Sequence, residues 1–279
     1  MKLSLAIQTS EVPVPVPVAL LAGTWEEKLA KAARLGVQGV DLMTVDPDAL
    51  DADALRASLR RHGLCAAAIG SGAVTFATGM ALLHADPAQA AEARRRLDGM
   101  IRLAAALGAP LVTIGSFRGR LGHEGASARA RLIAILREAA AEAAAQGVRL
   151  ALEPLNRYET DLVHTAAEGL DFIEEIGHPA VGLLLDTYHI NIEESSWTEP
   201  FRQAMAAGLL WHVHVGDNNR LPPGRGLIDF GAILTTLRAI GYDGFLAAEL
   251  LGGPDPDAAA VETVTYLRPL LNRLGKVER

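Results

Sequence analysis

Strand-like and helix-like stretches alternate eight times along this chain, and no other property limits its architecture as strongly. Short apolar runs bounded by turn residues read as buried strands at 3–8, 37–43, 64–70, 110–115, 148–153, 181–186, 210–215 and 244–250. Helix-like segments fall near 25–35, 50–62, 86–107, 128–146, 165–176, 199–207, 229–240 and 257–274. Thr24 ahead of WEEKL is an N-cap followed by first-turn acids, and Gly36, Gly63, Gly108, Gly147, Gly177, Gly208 and Gly241 each close a helical stretch. Strands separated by helices run parallel. Eight such units without a linker, in 279 residues, fit a single (β/α)8 TIM barrel spanning 1–279 as one domain. An open doubly wound sheet is the competing arrangement.

Strands five to eight weigh against the open sheet. VRLALE (148–153), VGLLLD (181–186), LWHVH (210–214) and FLAAE (245–249) each end in a residue that can ligate a metal: Glu153, Asp186, His214 and Glu249. These ends lie at the C-terminal edge of the sheet, where α/β proteins keep their sites, and barrel closure lets them meet. Three converging buried carboxylates are costly unless a divalent cation neutralises them. Three oxygens and one imidazole suit Mn²⁺, Mg²⁺ or Co²⁺, and without thiolates a structural zinc is not expected. His212, two residues before His214, points to the same side one layer deeper and reads as a supporting imidazole.

Charge and composition exclude several functions. A net charge of −7 and no long basic run argue against a nucleic-acid surface. No uninterrupted 18-residue apolar stretch suggests a membrane span, and the N-terminus is too quickly polar for a secretory signal, so a cytoplasmic protein is expected. Arg94, Arg95 and Arg96 read as a solvated helix face. The single cysteine, Cys65, sits in an apolar run and reads as a buried, inert thiol. Two long connections, after strands one and three, are candidate pocket walls.

Glu153 and Glu249 would flank a chelated carbonyl substrate. One carboxylate could remove the α-proton and the other return a proton to the opposite face, with the cation stabilising the enediolate oxygen; this is epimerase or isomerase chemistry. Arg157, His189 and Arg220 follow three of the ligands in βα loops and read as substrate contacts. Arg157 lies in the same loop as Glu159.

The segments EPLNRYET (153–160), LDTYHINIEE (185–194) and HVHVGDNNR…PGRG…DF (212–230) resemble those of the ketose 3-epimerases, the D-tagatose/D-psicose 3-epimerase group of the xylose-isomerase-like TIM barrels. The strong match spans roughly 148–250. The resemblance implies a cation, Mn²⁺ foremost, on Glu153, Asp186, His214 and Glu249, with Glu153 and Glu249 as acid–base pair. It also implies Glu159, His189 and Arg220 on the substrate's oxygens, and a homodimer or homotetramer acting on a small sugar. Arg118 and Arg120, after strand four, depart from a neutral-sugar site; guanidiniums favour carboxylates, so a keto-sugar acid is an expected alternative substrate. Competing functions are an aldose–ketose or hydroxypyruvate-type isomerase on the same metal site, an abasic-site endonuclease and a non-catalytic sugar-binding barrel.

Overall fold

The computed structural model of the protein describes residues 1–274; positions 275–279 of the expected domain lie outside the described residues. Strands β1 (Lys2–Gln8), β2 (Gly39–Met43), β3 (Cys65–Gly70), β4 (Leu111–Ile114), β5 (Arg149–Leu152), β6 (Val181–Asp186), β7 (Leu210–Val215) and β8 (Phe245–Ala248) pair in chain order, all parallel. Strand β8 pairs back onto β1, so the sheet is closed and the open arrangement is excluded.

Around the barrel run α1 (Trp25–Leu35), α2 (Ala52–Arg61), α3 (Gly72–Thr78), α4 (Pro87–Leu107), α5 (Ala126–Ala145), α6 (Ala166–Ile176), α7 (Thr187–Glu193), α8 (Glu199–Ala206), α9 (Phe230–Ala239) and α10 (Pro256–Leu274). The short α3 and α7 carry no helical signal of their own in the sequence. Both sit in βα connections, directly above β3 and β6. The expected cap of α1 forms as a reciprocal box: Glu27 N–H donates to Thr24 Oγ1, and Thr24 N–H donates to Glu27 Oε2 at 2.8 Å. The helix then ends on Gly36 at φ +67°, a conformation glycine adopts without steric cost.

The side of the barrel away from the strand ends is closed by an indole. The β6–β7 register shifts between Leu183 and Leu184, and the bulge directs Trp211 against Gly182. A Cβ at residue 182 would collide with that ring, so glycine is required there. Ala68, Leu111, Ala151 and Leu184 pack beside the indole, and the Arg149 guanidinium stacks on it at 4.5 Å. Among the described residues no helix is long and apolar enough to cross a membrane.

Two surface expectations need correction. Cys65 is exposed rather than buried, because it opens β3 instead of sitting within it; its thiol donates to Gln38 O at 3.4 Å. Arg94, Arg95 and Arg96 are less free than a solvated face suggests. Arg95 and Arg96 both pair with Glu92 and Asp46, and Arg94 with Asp98 and Glu138.

Candidate active site

The ends of β5 to β8 bring four buried ligand-type side chains together. Asp186 ends β6 and stands in register with His214 on β7. It also caps α7: Tyr188 N–H donates to its Oδ1 at 2.8 Å, which turns Oδ2 away from the helix. Glu249 follows Ala248, the β8 residue in register with Val215. Glu153 follows β5, and its N–H donates to Ile114 O at 3.0 Å. One ligand atom from each of Glu153, Asp186, His214 and Glu249 lies within 4.8 Å of the other three. A Cβ at residue 115 would stand 2.5 Å from Glu153 Oε2, so Gly115 leaves the room that this carboxylate occupies.

Glu153 Oε1, Asp186 Oδ2 and both ring nitrogens of His214 are buried without a hydrogen-bond partner. Leaving such atoms unmatched is costly. A divalent cation matches them: the donors are hard, three are anionic, and His214 Nδ1 faces Glu153 Oε1 at 3.6 Å and Glu249 Oε2 at 3.4 Å. On its other side His214 Nε2 lies 3.5 Å from Asp41 Oδ2. Asp41 in turn accepts from Ser4 Oγ at 2.8 Å and bonds His212 Nε2 at 2.6 Å. The carboxylate–imidazole pair thus orients the candidate ligand from behind, the usual supporting arrangement for a metal-bound histidine. His212 is one layer deeper, as its spacing from His214 implies. Asp41 was not singled out from the sequence, although a lone acid inside the apolar run GVDLM is its signal.

The charges of the cluster are far from balanced without a cation. Burial raises Glu153, and the neighbouring Glu249 charge adds to this. Burial also acts on Glu249, but His214 and Arg220 outweigh it and hold that carboxyl low. Asp186 is pushed up to about 7, by burial first and by the Glu153 charge second. An acid whose pKa is raised by folding stabilises the fold while protonated; the contribution is complete below the ordinary carboxyl range and is lost as pH rises through the folded value. His214 is raised despite its burial, chiefly by Glu249 and Asp41, so it loses stability in the same direction above 6.5. Metal-free protein should therefore become less stable between pH 5 and 8. At pH 8, Asp186→Asn should exceed the parent by about 2–4 kcal/mol in denaturant unfolding with a chelator present. A metal-free parent that gains stability over that range would contradict this charge assignment.

A cavity of about 260 Å³ opens beside the cluster. Both long connections line it: Val16, Pro17 and Val18 after β1, and Phe76 from α3 after β3. Glu159 and Arg220 also line it. The loop of residues 217–228 is organised by buried Asp217, whose carboxylate accepts from the N–H groups of Asn218, Gly224, Gly226 and Ile228. Arg220 stands in that loop at φ +60°, a strained conformation for a residue with a side chain. Its Nη1 donates to Glu159 Oε1 at 3.0 Å, its Nη2 lies 3.6 Å from Glu249 Oε2, and its guanidinium stacks on Tyr188 at 4.8 Å. His189 is buried nearby, its Nε2 without a partner. Arg157 turns outward to Glu193 at 2.8 Å.

The expected roles of Arg118 and Arg120 do not survive the geometry. Arg118 is fully buried, and its guanidinium donates to four backbone carbonyls: Gly115 O at 3.1 Å, Glu153 O at 2.7 Å, Leu162 O at 2.8 Å and Val163 O at 3.2 Å. It ties the β4 and β5 loops together instead of facing a ligand. Arg120 is exposed and donates to Tyr158 O at 3.0 Å. Arg118→Ala strands those carbonyls and should destabilise the protein by about 3 kcal/mol. Activity lost through it should fall alike on acidic and neutral sugars, whereas Arg120→Ala should be close to neutral in both measurements. A KM increase confined to keto-sugar acids would restore the original expectation.

The fold and this site define a closed α/β barrel with a buried carboxylate–histidine cluster at its strand ends that could hold a metal ion, and comparison with known proteins agrees on the fold. Residues 29–270 match the model of the xylose isomerase-like TIM barrel family, and the chain belongs to that family. It is 31% identical to the L-ribulose 3-epimerase of Methylomonas sp. (strain DH-1), over 89% of this chain and 88% of that protein. It is 32% identical to the ketose 3-epimerase of Arthrobacter globiformis, over 77% of this chain and 73% of that protein. Among solved structures, the D-allulose 3-epimerase from Methylomonas sp. in complex with D-allulose superposes with a TM-score of 0.77 at 26% identity, covering 96% of this chain and 97% of that one.

Proposed function

We propose that this protein is a divalent-cation-dependent epimerase inverting C3 of a neutral ketose. The observation that carries this reading is the meeting of Glu153, Asp186, His214 and Glu249 within 4.8 Å at the edge of a cavity. The names of its relatives, an L-ribulose 3-epimerase and a ketose 3-epimerase, support the same reaction. These four residues would hold the cation, which when bound supplies Lewis acidity to the substrate's carbonyl; their hard donors favour Mn²⁺, with Mg²⁺ or Co²⁺ as alternatives.

The chain's own groups do the proton work. One of Glu153 and Glu249 takes the proton from C3 as the C–H bond breaks, and the electron pair moves towards the C2 oxygen. The other returns a proton to the opposite face; the new C–H bond forms and the C2 carbonyl is restored. Arg220 beside Glu249 favours that carboxylate's charged form. Arg220, Glu159 and His189 would bind the sugar's oxygens; Glu159 and Arg220 line the cavity, and its apolar side chains Val16, Val18 and Phe76 would limit the access of water. A neutral ketose is favoured over a keto-sugar acid because Arg118 and Arg120, the two cations that suggested an acid, point elsewhere. A homodimer or homotetramer belongs to the same reading, carried by the family resemblance.

The experiment is product analysis by NMR after incubating neutral ketopentoses and ketohexoses, and matching keto-sugar acids, with Mn²⁺-loaded protein. The expected product is the C3 epimer of a neutral ketose. An aldose product would replace epimerisation by C1–C2 isomerisation.

A further inference from the structure

Asn156 lies three residues beyond Glu153, wholly buried, and holds none of the roles assigned above. Its amide orientation is determined by its neighbours. Tyr158 N–H donates to Asn156 Oδ1 at 3.0 Å, so the other arm of the amide is the donor. That Nδ2 stands 2.8 Å from His189 Nδ1 and 3.0 Å from Glu159 Oε1, one proton for each. The Asn156 backbone N–H is directed at the same His189 Nδ1, at 3.3 Å. Two donors on one ring nitrogen leave it no room for a proton of its own. A neutral imidazole then carries its single proton on Nε2. Burial, aided by the Arg220 charge, keeps the ring neutral. His189 Nε2 is itself buried and unpartnered, in a ring that feels the charges of Arg220, Glu249 and His214.

We propose that Asn156 is a positioning residue that locks His189 in its Nε2–H tautomer, so that the site presents one fixed N–H donor to an oxygen of the ketose. The donation to a ketose rests on the function proposed above; the tautomer does not. The same amide couples that donor to the rest of the site. Glu159 Oε1 accepts from Asn156 Nδ2 and from Arg220 Nη1, so His189, Glu159 and Arg220 form one hydrogen-bonded line that ends beside Glu249. A sugar hydroxyl can rotate to give or accept a hydrogen bond, whereas a carbonyl oxygen only accepts. A donor that cannot switch thus favours an accepting oxygen at that place.

The direct test is ¹⁵N NMR of the His189 imidazole in the unaltered protein, assigned by comparison with His189→Gln. Between pH 6 and 8 the expected spectrum has the proton on Nε2 and a lone pair on Nδ1. A proton on Nδ1 would overturn the proposal without any variant. Asn156→Asp keeps the acceptor for Tyr158 but replaces the Nδ2 donor with a carboxylate oxygen. It should move a proton onto His189 Nδ1 and lower kcat/KM for the ketose by about 10–100-fold. A variant spectrum that still shows a bare Nδ1 would also overturn it. The spectra need no turnover, so failure of the parent to epimerise any ketose would count against the proposed function alone.

Discussion

Glu153→Gln and Glu249→Gln should each lower C3 epimerisation by about 10²–10⁴-fold, the range expected when a positioned acid or base is removed. Glutamine keeps the shape and one neutral oxygen donor but can neither take nor return the substrate proton. Because each carboxylate serves one face of C3, the two losses need not look alike. A variant that retains the residue facing the C3 proton should still exchange it with solvent, without forming the epimer. The other variant should be silent in both assays. The opposite electrostatic settings of the two residues, with Glu153 raised by burial and Glu249 held low by His214 and Arg220, suit one acid and one base. Steady-state epimerisation and deuterium wash-in, measured on both variants, separate the cases. Near-parental epimerisation by either variant would rule out the two-carboxylate mechanism.

Removal of the cation is the second large effect. Chelator-treated protein should be inactive yet folded, because the packing around Trp211, the backbone pairing that closes the sheet and the cap of α1 do not depend on a bound cation. Mn²⁺ should restore activity and raise thermal stability, since a cation present at a thousand times its Kd adds about 4 kcal/mol to the folded state. His214→Ala should abolish tight Mn²⁺ binding and the accompanying stabilisation while leaving the far-ultraviolet circular dichroism unchanged. Full activity in metal-free protein would remove the cation from the proposed reaction.

The barrel is legible from the sequence because its punctuation is redundant. The strand runs are predominantly apolar, and glycines such as Gly36 and Gly241 mark helix ends with the left-handed φ they adopt. The convergence of Glu153, Asp186, His214 and Glu249 is legible for a related reason. Each stands at the end of a strand, and parallel register in a closed barrel brings strand ends together. What escapes is decided by side-chain direction and by contacts remote in sequence. Arg118 lies near the mouth, but nothing local shows that its guanidinium turns to carbonyls of residues 153, 162 and 163. Asp41 belongs to β2, far in sequence from the β7 histidines it supports, and only barrel closure brings them into contact. Asn156 is visible in the motif EPLNRYET, yet its role depends on an amide orientation that Tyr158 determines. The short helices α3 and α7 lack the length for an amphipathic period and are set by their places above the strand ends.

The most direct measurement is deuterium incorporation at C3 during turnover. Mn²⁺-loaded protein is incubated with a neutral ketose in deuterated water, and substrate and product are examined by ¹H NMR. The expected result is a C3 epimer carrying deuterium at C3 and none at C1, with no incorporation when the cation is chelated. Epimer formed with its original C3 proton fully retained, or deuterium appearing at C1 with an aldose product, would contradict proton transfer at C3 by Glu153 and Glu249.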